Sequence, residues 1–362
     1  MGFIGIVLML TVAGLGIAMI LSAPYRSISR RQRKASRYLT RVCAAVTAGV
    51  ALAAMGATGA SASAAAPRHL QTVQVTGAVA SPAATSPGAQ LWVARYDNPG
   101  NGGATSVVAS PNGETVFVTG YTTTTSGLED YATVAYNAAT GAQLWAARYT
   151  DPGHTTDQAY SVAVSPDGTA VFVTGESLPA AGGDDYATVA YNAATGAQLW
   201  VKRYDGPGSG GDQAYSVAVS PSGKTAFITG YTDTTSSSAG FVYTTIAYSA
   251  TTGSQLWVSS YNGPAKSTSE AYSVAVSPNG STVYVTGTSY GCVCGDNEYA
   301  TVAYNAATGA QQWVARYNGA GHGSHAFSVA VSPTTGTVFV TGYSYDADPA
   351  TGFDYATIAY AG

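Results

Sequence analysis

Five tryptophans recur along the chain at nearly even spacing, and they are the only tryptophans it contains. Each ends the same short phrase, GAQLW, GSQLW or GAQQW, and successive copies lie 53 to 57 residues apart. The five are Trp92, Trp145, Trp200, Trp257 and Trp313. A fixed period of this size indicates a repeat architecture, in which each unit buries its apolar surface against its neighbours.

One repeat predicts four short β-strands. Runs rich in Val, Thr, Tyr and Ala occupy 160–165, 169–176, 186–192 and 197–204. SPDG separates the first two runs and NAATG the last two, and both turns end on glycine, which is typical of tight connections. Such runs predict antiparallel strands, and no stretch after residue 66 has a helical apolar period. Four strands per unit, repeated around a ring, predict an all-β β-propeller of four-stranded antiparallel blades.

The two ends of the array are incomplete in complementary ways. Residues 89–96 form a tryptophan strand without partner strands upstream, whereas the last repeat, 325–361, has no tryptophan strand. We therefore predict a five-bladed propeller whose ring is closed when 89–96 joins the last blade. The blades would be 104–149, 158–204, 213–261, 270–317, and 325–361 with 89–96.

An acidic residue before the third strand varies together with an arginine three residues after the tryptophan. In the third repeat Val242 replaces the acid and Ser260 replaces the arginine. This predicts a cross-strand ion pair on the outer hairpin of each other blade. The pairs would be Asp130–Arg148, Asp185–Arg203, Glu298–Arg316 and, across the closure, Asp354–Arg95.

Charge and hydropathy divide the chain into three parts. Residues 1–66 read as a signal or targeting segment, with a basic stretch, an apolar stretch and SASAAA as a cleavage site. Residues 3–21 are long enough for an extra transmembrane helix, so a membrane-anchored form is the alternative to secretion. Residues 67–87 are a linker and 88–362 the propeller. All 19 acidic residues but only eight basic ones follow position 66, which argues against nucleic acid as a partner.

The variable loops on one face of the propeller hold the candidate ligand-binding residues, because binding usually resides on loops of a rigid scaffold. The candidates are Asp184, Asp185, Asp296, Glu298, Asp346, Asp348, His154, His322 and His325. Carboxylates could hold calcium, and solvated loop acids are the simpler interpretation. The sequence predicts no catalytic residue and no metal site, because no G-x-S-x-G, HExxH or P-loop pattern is present.

Cys292 and Cys294 lie one residue apart in the same variable loop as Asp296 and Glu298. In an exported chain they can form a tight disulfide. Free thiols are the main alternative, and a zinc site would need about four ligands, which the sequence does not supply.

The segment AYNAATGAQLW at 135–145, with AYSVAVSPNGSTVYVTG at 271–287, resembles two families of repeats. One is the bacterial β-propeller repeat family of exported proteins. The other comprises the PQQ-binding-like, quinoprotein-type propellers, whose A-x-D-x-x-T-G-x-x-x-W motif is matched here with Asn137 in place of the aspartate. The resemblance covers residues 88–362 and implies tryptophans docked between blades. It carries over no PQQ site, so no cofactor is expected.

These observations favour a secreted, non-catalytic binding module whose ligand is a glycan or an extracellular protein. Two alternatives remain. One is a carboxylate-dependent hydrolase or lyase, which would need convergent carboxylates or histidines at the inner strand ends. The corresponding residues are Gln158, Gln213, Glu270 and His325. The other is a purely structural cell-surface repeat protein.

Overall fold

The structure, a computed structural model, is all β in the part that it describes. It describes residues 86–96, 100–151, 153–179, 182–208, 210–234, 240–264, 268–291, 297–319, 323–345 and 352–362. The predicted targeting segment, the 3–21 helix and most of the linker therefore lie outside the described residues, as do Cys292 and Cys294. Within these ranges no helix is long and apolar enough to cross a membrane.

Nineteen strands in the described ranges form five successive repeat units. They are β1 (Gly102–Ala109), β2 (Thr115–Thr123), β3 (Glu129–Asn137) and β4 (Gln143–Tyr149) in unit 1; β5 (His154–Val164), β6 (Ala170–Pro179), β7 (Asp185–Asn192) and β8 (Gln198–Tyr204) in unit 2; β9 (Gln213–Val219), β10 (Thr225–Asp233), β11 (Phe241–Ser249) and β12 (Gln255–Tyr261) in unit 3; β13 (Ser269–Val276), β14 (Thr282–Tyr290), β15 (Asn297–Asn305) and β16 (Gln311–Tyr317) in unit 4; and β17 (Ser324–Val331), β18 (Val338–Tyr345) and β19 (Phe353–Tyr360) in unit 5.

Each of units 1 to 4 is an antiparallel sheet whose strands pair in chain order. The predicted turns connect the strands as expected, and their glycines take the left-handed conformation, as at Gly168 with φ 71°. A single parallel bridge, Glu129 to Thr156, links the sheets of units 1 and 2. The four-stranded antiparallel organisation predicted from the repeat is therefore confirmed for these units.

The core lies between successive units rather than within one sheet. One apolar cluster combines Phe117 and Trp145 of unit 1 with Val171 and Tyr191 of unit 2. In units 2 to 4 the middle strands are buried over almost their whole length, because both faces of these sheets are covered. Facing threonines bond to each other inside these sheets, as Thr174 does with Thr188 at 2.9 Å, which satisfies their buried hydroxyls.

Each tryptophan strand holds the following unit. The indole of Trp145 donates from Nε1 to Ala193 O of unit 2 at 2.8 Å. Its ring lies 5.8 Å from Phe117 of its own unit and 6.3 Å from Tyr191 of the next, measured between ring centroids. Trp200 and Trp257 repeat both the bond and the ring contacts. The interface between units is thus the same structure used repeatedly.

Three of the predicted cross-strand ion pairs are present. Arg148 Nη1 lies 4.0 Å from Asp130 Oδ2, Arg316 Nη2 lies 2.7 Å from Glu298 Oε2, and Arg203 binds Asp185. In unit 3, where both charges are missing, Ser260 lies 3.5 Å from Thr244, oxygen to oxygen. The acid and arginine positions that vary together in the sequence are therefore in contact in the structure.

The predicted closure of the ring is not formed in this structure. Residues 89–96 do not form a β-strand, and their backbone pairs with no strand of a sheet. The segment lies against unit 1 through Trp92. Unit 5 consequently has three strands, and Tyr355 on the free strand β19 is 98% exposed. Among the described residues no ion pair joins Asp354 to Arg95. The array has four complete units and a fifth that lacks its outer strand.

Replacing Trp200 by phenylalanine should lower the free energy of unfolding by about 1–3 kcal/mol, because it removes a buried N–H···O bond and part of the packed ring. Chemical denaturation measures the loss. Trp313→Phe is the matched control, since no hydrogen bond from that indole is present in the described part of the chain. Equal losses in the two variants would contradict the importance of the indole bond.

Candidate binding site at the inner strand ends

The first strands of the five units lie side by side along the inner edge of the array. Side chains two residues apart on a strand project to the same face. Two equivalent positions of these strands therefore form two parallel rows. We call the outer row the rim, consisting of Gln158, Gln213, Glu270 and His325, and the inner row the collar, consisting of Tyr160, Tyr215, Tyr272 and Phe327.

The collar is a continuous row of aromatic rings. Successive ring centroids are 5.8, 5.5 and 5.7 Å apart, the range in which aromatic pairs attract each other. All four side chains are partly exposed, so a ligand can reach them. In unit 1 the collar position is Thr105, and Tyr121 fills the place of a rim side chain, since a Cβ on Gly103 would meet its ring at 2.9 Å.

Hydrogen bonds tie the rim to the collar below it. The hydroxyl of Tyr215 donates to Gln213 Oε1 at 2.9 Å, whereas that of Tyr160 lies 2.5 Å from Glu176 Oε1 and 3.1 Å from Gln158 Oε1. The hydroxyl of Tyr272 donates to Glu270 Oε2 at 2.8 Å. Each tyrosine of the collar is therefore held at both its ring and its hydroxyl, which fixes the position of the row.

The rim also bonds to a carboxylate at the start of the third strand in the preceding unit, where Glu129 is the first residue of β3 and Asp184 immediately precedes β7. Gln213 Nε2 donates to Asp184 Oδ2 at 2.9 Å, and Gln158 Nε2 donates to Glu129. Among the described residues, no Lys or Arg forms an ion pair with Glu129 or Asp184. Both carboxylates are therefore bonded by rim amides rather than by cationic side chains, which makes this end of the array a poor site for anionic ligands.

His325 is held as a neutral imidazole. Asn297 Nδ2 lies 2.8 Å from its Nε2 and Thr288 Oγ1 lies 2.9 Å from its Nδ1. Since the amide nitrogen is a donor, Nε2 accepts and the proton lies on Nδ1, which donates to the threonine. Burial lowers the pKa of His325 to about 4. Both nitrogens are occupied, so this side chain supports the rim and is poorly suited to general base catalysis.

A cluster of three carboxylates, Asp185, Asp205 and Asp212, lies beside unit 2. Burial raises the pKa of Asp212 to about 7. Both of its oxygens accept backbone N–H groups, from Gly206 at 2.5 Å and from Asp233 at 2.9 Å. The equivalent residue of unit 2, Asp157, accepts from Asp151 N in the same way. Asp212 therefore holds the loop at Gly206 in place beside Asp233. Asp185 forms an ion pair with Arg203.

The residues predicted to bind a ligand do not all lie in one place in the structure. Asp184 and His325 lie at the rim, whereas Asp185 and Glu298 belong to ion pairs of the outer hairpins. Residues 296, 322, 346 and 348 lie outside the described residues, and nothing is described of the side chain of His154. The sequence reasoning missed the collar. Its signal was the aromatic residue that recurs in AYSVAV, two positions after each rim residue.

Replacing His325 by glutamine, the residue at the same place in units 2 and 3, should flatten the pH dependence of stability. The folded-state pKa lies below the unfolded value, so the stabilisation is complete above about pH 6.5 and is lost as the pH falls towards 4. As the pH falls through that window, the free energy of unfolding should fall more steeply for the wild type than for the glutamine variant. The difference in slope should reach at most about 1.4 kcal/mol per pH unit. Parallel profiles from chemical denaturation of the two proteins would show that His325 is protonated in the fold.

Comparison with known proteins supports the repeat architecture. A family model described as outer membrane protein assembly factor BamB, of the PQQ-type repeat class, matches residues 76–352. Comparison with curated protein sequences gives no match.

Solved structures similar to the chain are distant. Hydrazine synthase of Kuenenia stuttgartiensis is 16% identical with a TM-score of 0.48, over 75% of this chain and 65% of that one. The β-propeller domain of the trilobed protease of Pyrococcus furiosus is 9% identical with a TM-score of 0.43, over 72% and 68%. The periplasmic gluconolactonase of Pseudomonas aeruginosa is 15% identical with a TM-score of 0.36, over 75% and 87%. None of these similarities assigns an activity. The family match, by contrast, extends over most of the chain, which therefore belongs to the PQQ-like β-propeller family that this model describes.

Proposed function

We propose that the protein is an extracytoplasmic, non-catalytic β-propeller that binds a glycan across its rim and collar. The proposed ring has five blades, the fifth completed by residues 89–96. The observation that carries the binding function is the row of four partly exposed aromatic side chains beneath hydrogen-bonding amides and carboxylates. Predominantly aromatic surfaces with a few fixed polar groups are typical of ligand sites.

A sugar fits the chemistry of both rows. Its apolar face can stack on the tyrosine rings of the collar, while its hydroxyls can donate to the carboxylates that the rim amides hold, Asp184 and Glu129. The amide and hydroxyl groups already bond to one another, so each rim acceptor is fixed before a ligand arrives. Sugars without negative charge are favoured, because uronic or sulfated sugars would meet these carboxylates.

The state of the ionisable groups supports binding without catalysis. The glutamate at 129 and the aspartate at 184 are bonded to amides, and the His325 imidazole has both nitrogens occupied. The raised pKa values of Asp212 and its neighbour Asp185, both caused mainly by burial, would suit the alternative, a carboxylate-dependent hydrolase or lyase. The two backbone bonds of Asp212 and the ion pair of Asp185 with Arg203 favour structural roles instead.

The extracytoplasmic location is supported by two independent features. The first is the basic and apolar order of residues 26–66, which matches a secretory signal. The second is the family match, whose description names an outer-membrane assembly factor. The same description favours a second candidate function, in which the ligand of the propeller is a protein partner.

Binding of neutral, amine-bearing and uronic-acid oligosaccharides to the purified protein should separate these possibilities. A sugar that binds only the folded protein should stabilise it by about 2.7 kcal/mol at 100 times its Kd, measured by thermal shift. Tyr215→Leu should abolish the shift by removing the central collar ring. Lys224→Ala, in the turn after β9 at the opposite end of the strand, is the control and should keep it.

Binding of uronic-acid sugars in preference to neutral ones would contradict the charge argument. If no sugar shifts the wild-type protein, the glycan proposal is wrong, and the protein-partner and structural hypotheses remain.

A further inference from the structure

The rim changes its chemistry at unit 4. In units 2 and 3 the rim residue is an amide, Gln158 or Gln213, and it bonds to a carboxylate of the preceding unit. In unit 4 the rim residue is itself an acid, Glu270, and the equivalent position of the preceding unit holds Phe241. The carboxylate has therefore moved to the rim, and an aromatic ring takes its former place.

Phe241 belongs to a contiguous group of four rings, which we call the aromatic cluster. Its ring centroid lies 4.5 Å from that of Tyr231, which lies 5.7 Å from Tyr215, and Tyr215 lies 5.5 Å from Tyr272. Tyr231 is 5% exposed, whereas the other three side chains are partly exposed. The cluster thus runs from the third strand of unit 3 to the inner strand of unit 4 and can be reached by a ligand.

Glu270 lies at the end of this cluster. Its Oε2 accepts a hydrogen bond from the hydroxyl of Tyr272 at 2.8 Å, and its side chain is partly exposed. Burial raises the pKa of Tyr272, and the charge of Glu270 raises it further. The same charge adds to the effect of burial on the pKa of Tyr243, two residues after Phe241 on β11. The carboxylate of Glu270 is therefore close to rings of both units.

A carboxylate beside partly exposed aromatic rings is suited to an ammonium group, because the faces of the rings and the carboxylate both attract a cation. We propose that the rim and collar prefer a glycan that carries a protonated amine, and that this amine binds between Glu270 and the aromatic cluster. The inference rests on the proposed glycan-binding function. It adds the charge of the ligand and the place at which that charge is recognised.

The surroundings of the site favour an amine that is part of a longer sugar chain. The collar continues on both sides of the cluster, with Tyr160 5.8 Å from Tyr215 and Phe327 5.7 Å from Tyr272. Sugar units on either side of the amine can stack on these rings. The charge of the chain also agrees, since all 19 acidic residues but only eight basic ones follow position 66.

A similar group of rings in unit 5 lacks the charge. The ring of Tyr343 lies 5.5 Å from Phe327 and 4.6 Å from Phe353, and the rim residue beside it is His325, at 4.8 Å. His325 is a neutral imidazole with both nitrogens bonded, so it offers an ammonium group no opposite charge. Glu270 is therefore the feature that distinguishes the site at unit 4 from these rings.

Two oligosaccharides that differ only in charge test the proposal. They are a short glucosamine oligomer, at a pH where its amines are protonated, and its fully N-acetylated counterpart. Calorimetric titration of the full chain should give a Kd about three- to thirtyfold lower for the amine form, the range expected when a partly exposed ammonium gains a carboxylate and an aromatic face. Added salt should reduce this preference, because it screens the ionic contact.

Two variants locate the preference. Glu270→Gln introduces the residue of units 2 and 3, which removes the charge and keeps an acceptor for Tyr272. Phe241→Leu keeps an apolar side chain and removes the aromatic face. Each should bring the ratio of the two Kd values closer to one. The ratio is compared within each variant, so that a general loss of binding cancels. Glu114→Gln, in the turn between β1 and β2, removes the same charge elsewhere and should keep the wild-type ratio.

The outcomes separate this proposal from the glycan-binding function. If the N-acetylated oligomer binds as tightly as the amine form, the amine preference is wrong and glycan binding stands. An unchanged ratio in Glu270→Gln would also overturn the proposed site. Failure of both oligomers to bind the wild type contradicts the amine preference. Binding of any other sugar would then show that the glycan function survives without it.

Discussion

The structure depends on the insertion of one indole ring into the turn of the following unit. That turn can receive the ring only because it contains glycine: a Cβ on Gly196 would lie 2.7 Å from the ring of Trp145. The same glycine has φ 72°, which the turn itself requires. Tryptophan and glycine therefore depend on each other at the three interfaces among units 1 to 4, where Trp145, Trp200 and Trp257 meet Gly196, Gly253 and Gly309. Their spacing along the chain follows from the size of one unit.

Charge is used in two distinct ways in this fold. On the outer hairpins, acids are neutralised by arginines that reach across one strand pair. At the inner ends, Glu129 and Asp184 are bonded by side-chain amides instead. This separation keeps the inner end polar without exposing the core, and the aromatic collar lies beside these polar groups.

The sequence was sufficient for the strands, turns and outer ion pairs that recur with the period. Strand number, turn position and the pairs at 130–148, 185–203 and 298–316 follow from aligning the units, since equivalent residues take equivalent places. It was insufficient where one unit differs from the rest. That Arg203 also binds Asp151 of a preceding loop, and that Asp212 is buried while Asp205 is exposed, depends on how individual loops fold back. The collar could have been predicted, because its aromatic residue recurs, but two-residue spacing alone does not tell an inner strand from an outer one.

The near-identity of the interfaces has a consequence for how the chain finds its native order. The phrase GAQLW occurs unchanged in three places, and the NAATG turn that receives such a ring also occurs in identical form in three units. The local chemistry therefore cannot distinguish a correct neighbour from a unit one repeat away. The short connections between units prevent a unit from packing against one that is not its neighbour in the chain. Lengthening one connection would be expected to allow skipped or exchanged units, so the loops between units carry the information about order that the interfaces lack.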